Sequence, residues 1–466
     1  MDNGTHNEIV LPEGMWAKLQ KYLFEDESRE YVCYILCGAG RQNQKLRLLG
    51  KQLFLPEPDD YIRQSRTGVS LRREVWRDLL TECQRLGLGL IDVHSHPFSN
   101  DNVAFSGIDD ADEAEKAAWF AENLPHTNFG SIVCGKRSYA ARIRFTYGRI
   151  VDEPLAVRTL DVPLQPRSDV RPRVEASFVD RHVRAFGSEG QARLGAAHVA
   201  VVGVGGLGSA IALGLARLGV RTFTLVDHDR AEPHNLNRLI GMRAHDARAK
   251  TLKTRLVRRE LRAIDPQITC RRMSEDVCAP GAWRSLLECD LIVAATDNHS
   301  SRFLLNALSE QYLIPQVSIG ALIEVGEDGN VGLACGHVRV VLPGDDSHCM
   351  LCSQIVDTTE VYYESLAPEH RGDAANRGYI ANFDQPAPSV VHLNGVLANL
   401  ALVEIHNLFS GFKPYSPYLF FDLLRQDIVS LSESKDHCSI CSPAGSQFAM
   451  GDLIDLDHSA RSLARS

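Results

Sequence analysis

Two consecutive α/β domains are predicted, on three observations. Short apolar strands alternate with amphipathic helices along most of the chain. A glycine-rich loop, Gly203-Val204-Gly205-Gly206-Leu207-Gly208, follows one apolar strand and opens a helix near mid-chain. The length, 466 residues, exceeds what one ordinary core organises. Strand–helix alternation after Ala176 specifies a doubly wound parallel sheet for the second domain.

Taken in order, Trp16 to Phe24 reads as a short helix and Tyr31 to Leu36 as an apolar strand. Leu71 to Leu86 has helical spacing, with Leu71, Val75, Leu79 and Cys83 on one face, until Gly87 and Gly89 stop it. Leu90 to Val93 is a strand that delivers His94, Asp109 to Asn123 an acidic, alanine-rich helix, and Gly130 to Cys134 a strand. Val151 to Val174 carries Pro154, Pro163, Pro166 and Pro172 and reads as a connection. Strands at His198–Val202, Thr222–Asp227 and Leu291–Ala295 then alternate with helices at Ser209–Leu218 and Lys253–Ile264. The expected division is a first domain over 1–165, a linker over 166–176, a second domain over 177–445 and a frayed tail over 446–466.

A composition of 44% hydrophobic and 23% charged residues is globular, and a net charge of -9 argues against nucleic-acid binding. The basic run Lys250 to Arg262 reads as a solvated helix face. The first residues, Met1 to His6, lack the basic and apolar regions of a signal peptide. Gly195 to Ala216 is apolar but split by glycines, and Val390 to Phe409 is interrupted by His392, Asn394, Glu404, His406 and Asn407, so neither is expected to span a membrane. Twelve cysteines without a secretory leader imply reduced thiols or metal ligands and a cytoplasmic protein.

His94 and His96 lie two apart at a strand end, so both side chains point to one face. Asp109, thirteen residues on, supplies a third ligand at a helix start. Three ligands leave one position open on a catalytic zinc, which brings the pKa of its water to about 7. Glu30, just before an apolar strand, is the candidate general base, and Ser106 could donate to an oxyanion. With Pro97 behind the histidines and Ser106-Gly107-Ile108-Asp109 following, residues 1 to about 140 resemble the JAMM (MPN/JAB) metalloprotease family. The resemblance implies cleavage after the terminal glycine of ubiquitin or a ubiquitin-like protein. The loop between His96 and Asp109 is slightly longer than is usual there.

The glycines Gly203, Gly205, Gly206 and Gly208 suit close approach of a phosphate to a helix N-terminus, in a nicotinamide enzyme as well as in an ATP site. Asp227, nineteen residues after Gly208, would take ribose hydroxyls in either. The residues downstream separate the two: Asp229, Asn235, Arg238, Lys253 ahead of Pro266, then Asp297, Asn298, Arg302 and Asn306. Arg238 and Lys253 are cations for a triphosphate, and Asp297 at a strand end is placed to hold magnesium. Hydride transfer needs none of these. From about Asp180 to Cys441 this series resembles the ThiF/MoeB family, the Rossmann-like core of ubiquitin-activating enzymes. The resemblance implies adenylation, with ATP and Mg2+, of the C-terminal glycine of a ubiquitin-like or sulfur-carrier protein. It also implies that Arg184 reaches the nucleotide of a partner protomer in a homodimer.

Cys349-Met350-Leu351-Cys352 and Cys438-Ser439-Ile440-Cys441 form two hooks suited to a closed, structural zinc. No cysteine stands between them, where thioester-forming relatives carry one. The product is therefore expected to stay an acyl-adenylate or pass to an external thiol, as on a conjugating enzyme; Cys335 is the nearest substitute. The combined expectation is a bifunctional enzyme that processes and adenylates a ubiquitin-like protein. Activation of a sulfur carrier for cofactor synthesis is the alternative within enzymology, and a binding scaffold with an inactive protease half the alternative outside it.

Overall fold

The structure, a computed structural model, describes residues 7–42, 45–167, 176–326, 328–344, 348–367, 369–372, 388–431 and 438–457. Most of the expected linker over 166–176 and the tail beyond Asp457 lie outside them.

Seven N-terminal strands close into a barrel: β1 (Asn7–Leu11), β2 (Val32–Gln42), β3 (Lys45–Phe54), β6 (Gly89–Ser95), β7 (Asn128–Cys134), β8 (Tyr139–Thr146) and β9 (Arg149–Thr159), in the order β1-β3-β2-β6-β7-β8-β9. A separate hairpin, β4 (Tyr61–Ser65) and β5 (Gly68–Leu71), stands beside them. Helix α1 (Met15–Leu23) packs Met15, Leu19 and Leu23 into the core shared by the inner faces of the barrel strands, while α2 (Arg73–Leu86) and α3 (Gly107–Asn123) pack against the opposite face. This domain holds more strand than the sequence suggested. Val151 to Thr159, read as part of a connection, instead closes the barrel by pairing in parallel with β1. Pro154, which stands opposite Arg142 of β8, sits just before the pairing with β1 begins at Leu155.

The second domain opens with α4 (Ala176–Phe186) and α5 (Ser188–Ala196). Its sheet comprises β10 (His198–Val202), β11 (Thr222–Val226), β12 (Thr269–Met273), β13 (Leu291–Ala294), β14 (Gln316–Val325), β15 (Val331–Val341), β16 (Tyr418–Asp422) and β17 (Asp427–Ser430), in the order β12-β11-β10-β13-β14-β15-β16-β17. The first five in that order are parallel, as expected; β15 to β17 extend the sheet as antiparallel strands, which the alternation did not reveal. Helices α6 (Gly206–Leu218), α7 (Ala244–Arg248), α8 (Lys253–Ile264), α9 (His299–Tyr312), α10 (Thr358–Ser365) and α11 (Val391–Ser410) complete it. In α11, Leu397, Ala401, Ile405 and Leu408 are fully buried in the main core, the core-helix reading of that apolar stretch. No described helix is long and apolar enough to cross a membrane.

The expected frayed tail begins as mortar between the domains. Phe448, Ala449 and Leu456 are fully buried in one cluster with Val10 and Leu49 of the barrel and Trp283, Leu308 and Tyr312 of the second domain. Buried Lys51 of β3 donates to the carbonyls of Gly445 (2.8 Å) and Phe448 (2.9 Å). Asp452 N–H donates to Ala39 O at 2.7 Å. Low local periodicity hid this segment, because the contacts that bury it are distant in sequence.

Charge is buried at the same seam. Arg47 pairs with Glu8 at 2.7 Å, and Arg158 with Asp290 at 3.1 Å. Burial alone would raise the Glu8 carboxyl, but Arg47, Arg167 and Arg158 outweigh it and hold it down at about 2. A depressed carboxylate contributes stability that is full above its unfolded pKa and is lost as pH falls through the folded one. For Glu8 that window runs from about 4.5 down to about 2. Glu8→Gln is expected to cost ~3 kcal/mol at neutral pH and to flatten the acid limb of a denaturation profile across that window. An unchanged acid limb in urea titrations at pH 3 and pH 7 would refute this role.

Candidate functional site

A cavity of about 370 Å³ opens at the C-terminal ends of β10, β11, β12 and β13, where the strand order reverses about β10. Its floor is the glycine loop. Gly203 has φ +82, and a Cβ there would stand 2.5 Å from Ala295 O; a Cβ on Gly208 would overlap Gly203 O. The turn and the strand–helix packing therefore both require glycine. Gly205 and Gly206 line the cavity, and a Cβ on Gly206 would meet Asn394 Nδ2 and the stem of Arg238.

Asp227, directly after β11, accepts from Val204 N–H and Asp229 N–H, both at 2.8 Å, so it ties the glycine loop to the end of the next strand. Burial raises its carboxyl, with Lys253 pulling the other way. Lys253 Nζ lies 2.7 Å from Asp229 Oδ2 and faces the cavity, whereas Lys250 does not line it. Arg238 is steadied by His234 O (2.7 Å) and Asn237 Oδ1 (3.1 Å). Buried Asn235 caps the turn that carries it, accepting from Glu232 N–H. Asp297 and Asn298 follow β13, and Asn298 caps α9 through Ser301 N–H at 2.7 Å. Three cations (Arg238, Lys253 and Arg302), a strand-end carboxylate and a helix N-terminus thus converge, a donor set suited to a triphosphate with its divalent cation.

Two members of the sequence series stand elsewhere. Arg184 is an exposed residue of α4 that pairs with Asp180 at 3.0 Å and does not line this chain's cavity. Asn306 is fully buried and accepts from Met350 N–H at 2.8 Å, so it supports the cysteine hooks. Those hooks meet: Cys349 Sγ lies 3.8 Å from Cys352 Sγ and 3.8 Å from Cys438 Sγ, and Cys352 Sγ 3.6 Å from Cys441 Sγ. Thiolates ~2.3 Å from one tetrahedral zinc stand ~3.8 Å apart, so the set could hold that ion. Cys335 is a buried strand residue whose thiol burial pushes up, unsuited to act as a nucleophile.

The barrel carries a second candidate cavity, about 520 Å³, sharing no lining residue with the first. The end of β6 brings His94 Nε2 to 3.3 Å from Asp109 Oδ1 and His96 Nε2 to 3.6 Å from Asp109 Oδ2. All three donor atoms lie within 4.8 Å of one another. His94 Nε2 is buried without a hydrogen bond, an orphan that a metal ion would satisfy. Two imidazoles and a carboxylate fit zinc and leave a position open to the cavity. Ser106 caps α3: its Oγ accepts from Asp109 N–H (3.3 Å) while its own N–H donates to Asp109 Oδ2 (2.6 Å). It therefore fixes the third ligand, and its hydroxyl proton remains available. Glu30 lines the same cavity; burial raises its carboxyl to about 7, against the pull of His94 and with a further push from Asp109.

The ThiF family model matches residues 179–442, more than half of the chain. The chain belongs to the ThiF family. Similar curated proteins include a ubiquitin-like modifier-activating enzyme 5 of Oryza sativa subsp. japonica, 25% identical over 53% of this chain and 55% of that protein. A sulfur carrier protein ThiS adenylyltransferase of Bacillus subtilis is 30% identical over 36% of this chain and 47% of its own length. The chain thus spans about half the length of these relatives. Among solved structures, E. coli MccB with ATP superposes with a TM-score of 0.46 at 18% identity, covering 58% of this chain and 75% of that one.

Within the ThiF-family segment fall the nucleotide cavity and all four hook cysteines; His94, His96 and Asp109 lie outside it. Glu275, Asp276 and Ser389 also line the nucleotide cavity and escaped sequence reasoning. The position of the first two, just past β12, was the available signal, since ligands of such sheets bind beyond strand C-termini. At the barrel site the sequence passed over Asp92, Lys116 and Arg66. Asp92 stands two before His94 on the same strand face, a placement that period-2 geometry exposes.

Proposed function

We propose that this ThiF-family chain adenylates the C-terminal carboxylate of a ubiquitin-like or sulfur-carrier protein with ATP. The convergence of Arg238, Lys253 and Asp297 on the glycine loop in one cavity carries this reading. A C-terminal glycine carboxylate attacks the α-phosphorus of ATP; the acyl–oxygen–phosphorus bond forms, the bond to the β-phosphate breaks, and pyrophosphate leaves. Arg238 and Lys253 offset charge on the phosphates, and Asp297 would hold the magnesium ion that accompanies them. Lys253 must exchange Asp229 for phosphate, a swap of one anionic partner for another. Arg184 contributes from a partner protomer in a homodimer, consistent with its exposure on α4. With no cysteine between Cys352 and Cys438, the acyl group passes onward to an external thiol, as on a conjugating enzyme, or to a sulfur donor.

The barrel site is proposed to act first, as a JAMM-type peptidase that exposes that glycine. His94, His96 and Asp109 would hold a zinc ion, which when bound supplies Lewis acidity and an acidified water. Glu30, with its carboxyl near 7, accepts a proton and returns it to the leaving amine. Ser106 donates to the developing oxyanion.

Intact-mass spectrometry of a ubiquitin-like protein carrying residues beyond its glycine, incubated with the chain, ATP and magnesium, tests both steps. Trimming to the glycine followed by an adenylate adduct is expected. Adduct formation without trimming would reject the peptidase, and trimming without any adduct would reject the adenylation.

A further inference from the structure

We propose that Ser95, between the two histidines, is the positioning residue for Glu30. The proposal rests on the peptidase reading above. In the antiparallel register of β2 and β6, Val32 stands opposite His94, so the ladder ends there and Tyr31 lies beyond it. The Tyr31 amide is nevertheless satisfied: it donates to Ser95 Oγ at 3.0 Å, and Tyr31 O accepts from Ser95 N–H at 3.0 Å. Ser95 is fully buried and Tyr31 nearly so. A side-chain hydroxyl thus does what a backbone carbonyl does elsewhere in the sheet, and clamps the residue next to Glu30 at two points.

Glu30 itself is held on its other side, its N–H donating to Ser65 O of β4 at 2.9 Å. On β6 the Ser95 side chain points to the face opposite His94 and His96, so it cannot join them as a ligand. The strand end therefore serves both parts of the site: its outer face presents two ligands, and its inner face sets the base. His96 N–H, bonded to Cys134 O at 2.8 Å, fixes the ligand side independently. The Tyr31 ring packs edge-on against Tyr22 and Tyr61 and would stay in place without Ser95. What Ser95→Ala frees is the peptide plane joining Tyr31 to Glu30.

The test compares wild type, Ser95→Ala, Ser95→Thr and Glu30→Gln for bound zinc, for crystal structure of the zinc-loaded chain, and for hydrolysis of a Gly-Gly-aminomethylcoumarin peptide. Ser95→Ala should keep its zinc and its KM, lose about tenfold or more in kcat, and show the Glu30 carboxylate displaced. Ser95→Thr, which keeps the hydroxyl, should restore both position and kcat. A Ser95→Ala enzyme with wild-type kcat and an unmoved Glu30 overturns the proposal, as does loss of zinc from that variant. Failure of the underlying reading looks different: an active Glu30→Gln enzyme removes Glu30 as the base, and an inactive wild type leaves the Glu30 displacement in the two crystal structures to decide for Ser95.

Discussion

Asp297→Ala is expected to lower acceptor-dependent pyrophosphate release by about 10³-fold while leaving the proposed peptide hydrolysis in the barrel unchanged. The size follows from the place of the residue. Asp297 ends the path from β13 into the cavity, directly before the Asn298 cap of α9, where a divalent cation on the triphosphate would be held. Its side chain is exposed, so its removal should change stability by about 0.5 kcal/mol or less, and the loss would be one of function. Separability follows from the two cavities sharing no lining residue. The decisive measurement runs both assays on one preparation: pyrophosphate release with a Gly-Gly-ended acceptor, and cleavage of an extended form of it. Undiminished pyrophosphate release would remove Asp297 from the site. Loss of both activities from a folded variant would mean that the sites are coupled, against their geometric independence.

What could be read from the sequence divides along a physical line. The glycine loop was legible because Gly203 and Gly208 occupy positions where any Cβ collides with backbone, so the residue type reports the conformation. His94 and His96 were legible because period-2 geometry alone puts them on one face. Asp109 required only that a helix begin near it; the structure starts that helix two residues earlier, at Gly107, with Ser106 as its cap. What stayed hidden depends on partners far along the chain. Nothing near Val151 to Thr159 says that it pairs with residues 7–11. Phe448 and Ala449 look like a tail until the barrel strand bearing Lys51 is beside them. The misplacement of Asn306 has the same origin: α9 offers two faces, and spacing does not tell which one meets the cavity and which the hook at Met350.

The second large effect is expected of His94→Ala: bound zinc should fall from two ions per chain to one, and peptide cleavage by at least about 10³-fold, with adenylation retained. The two candidate metal sites differ in kind, which makes the count informative. Cys349, Cys352, Cys438 and Cys441 suffice to close a tetrahedron by themselves, with Cys349 Sγ 3.8 Å from Cys352 Sγ and Cys438 Sγ, and Cys352 Sγ 3.6 Å from Cys441 Sγ. His94, His96 and Asp109 supply only three donors, at the wall of an open cavity. Removing His94 leaves a two-ligand remnant that water can reach, too weak to retain the ion through dialysis, whereas the thiolate site is untouched. A chelator should accordingly strip one zinc rapidly and the other slowly from wild type, and only the slow one from His94→Ala. Two zincs in the variant would refute the ligand assignment, and a single slow zinc in wild type would leave the barrel a binding module without peptidase chemistry. Both outcomes can be read without knowing the protein substrate, so the metal count should precede every assay that depends on it.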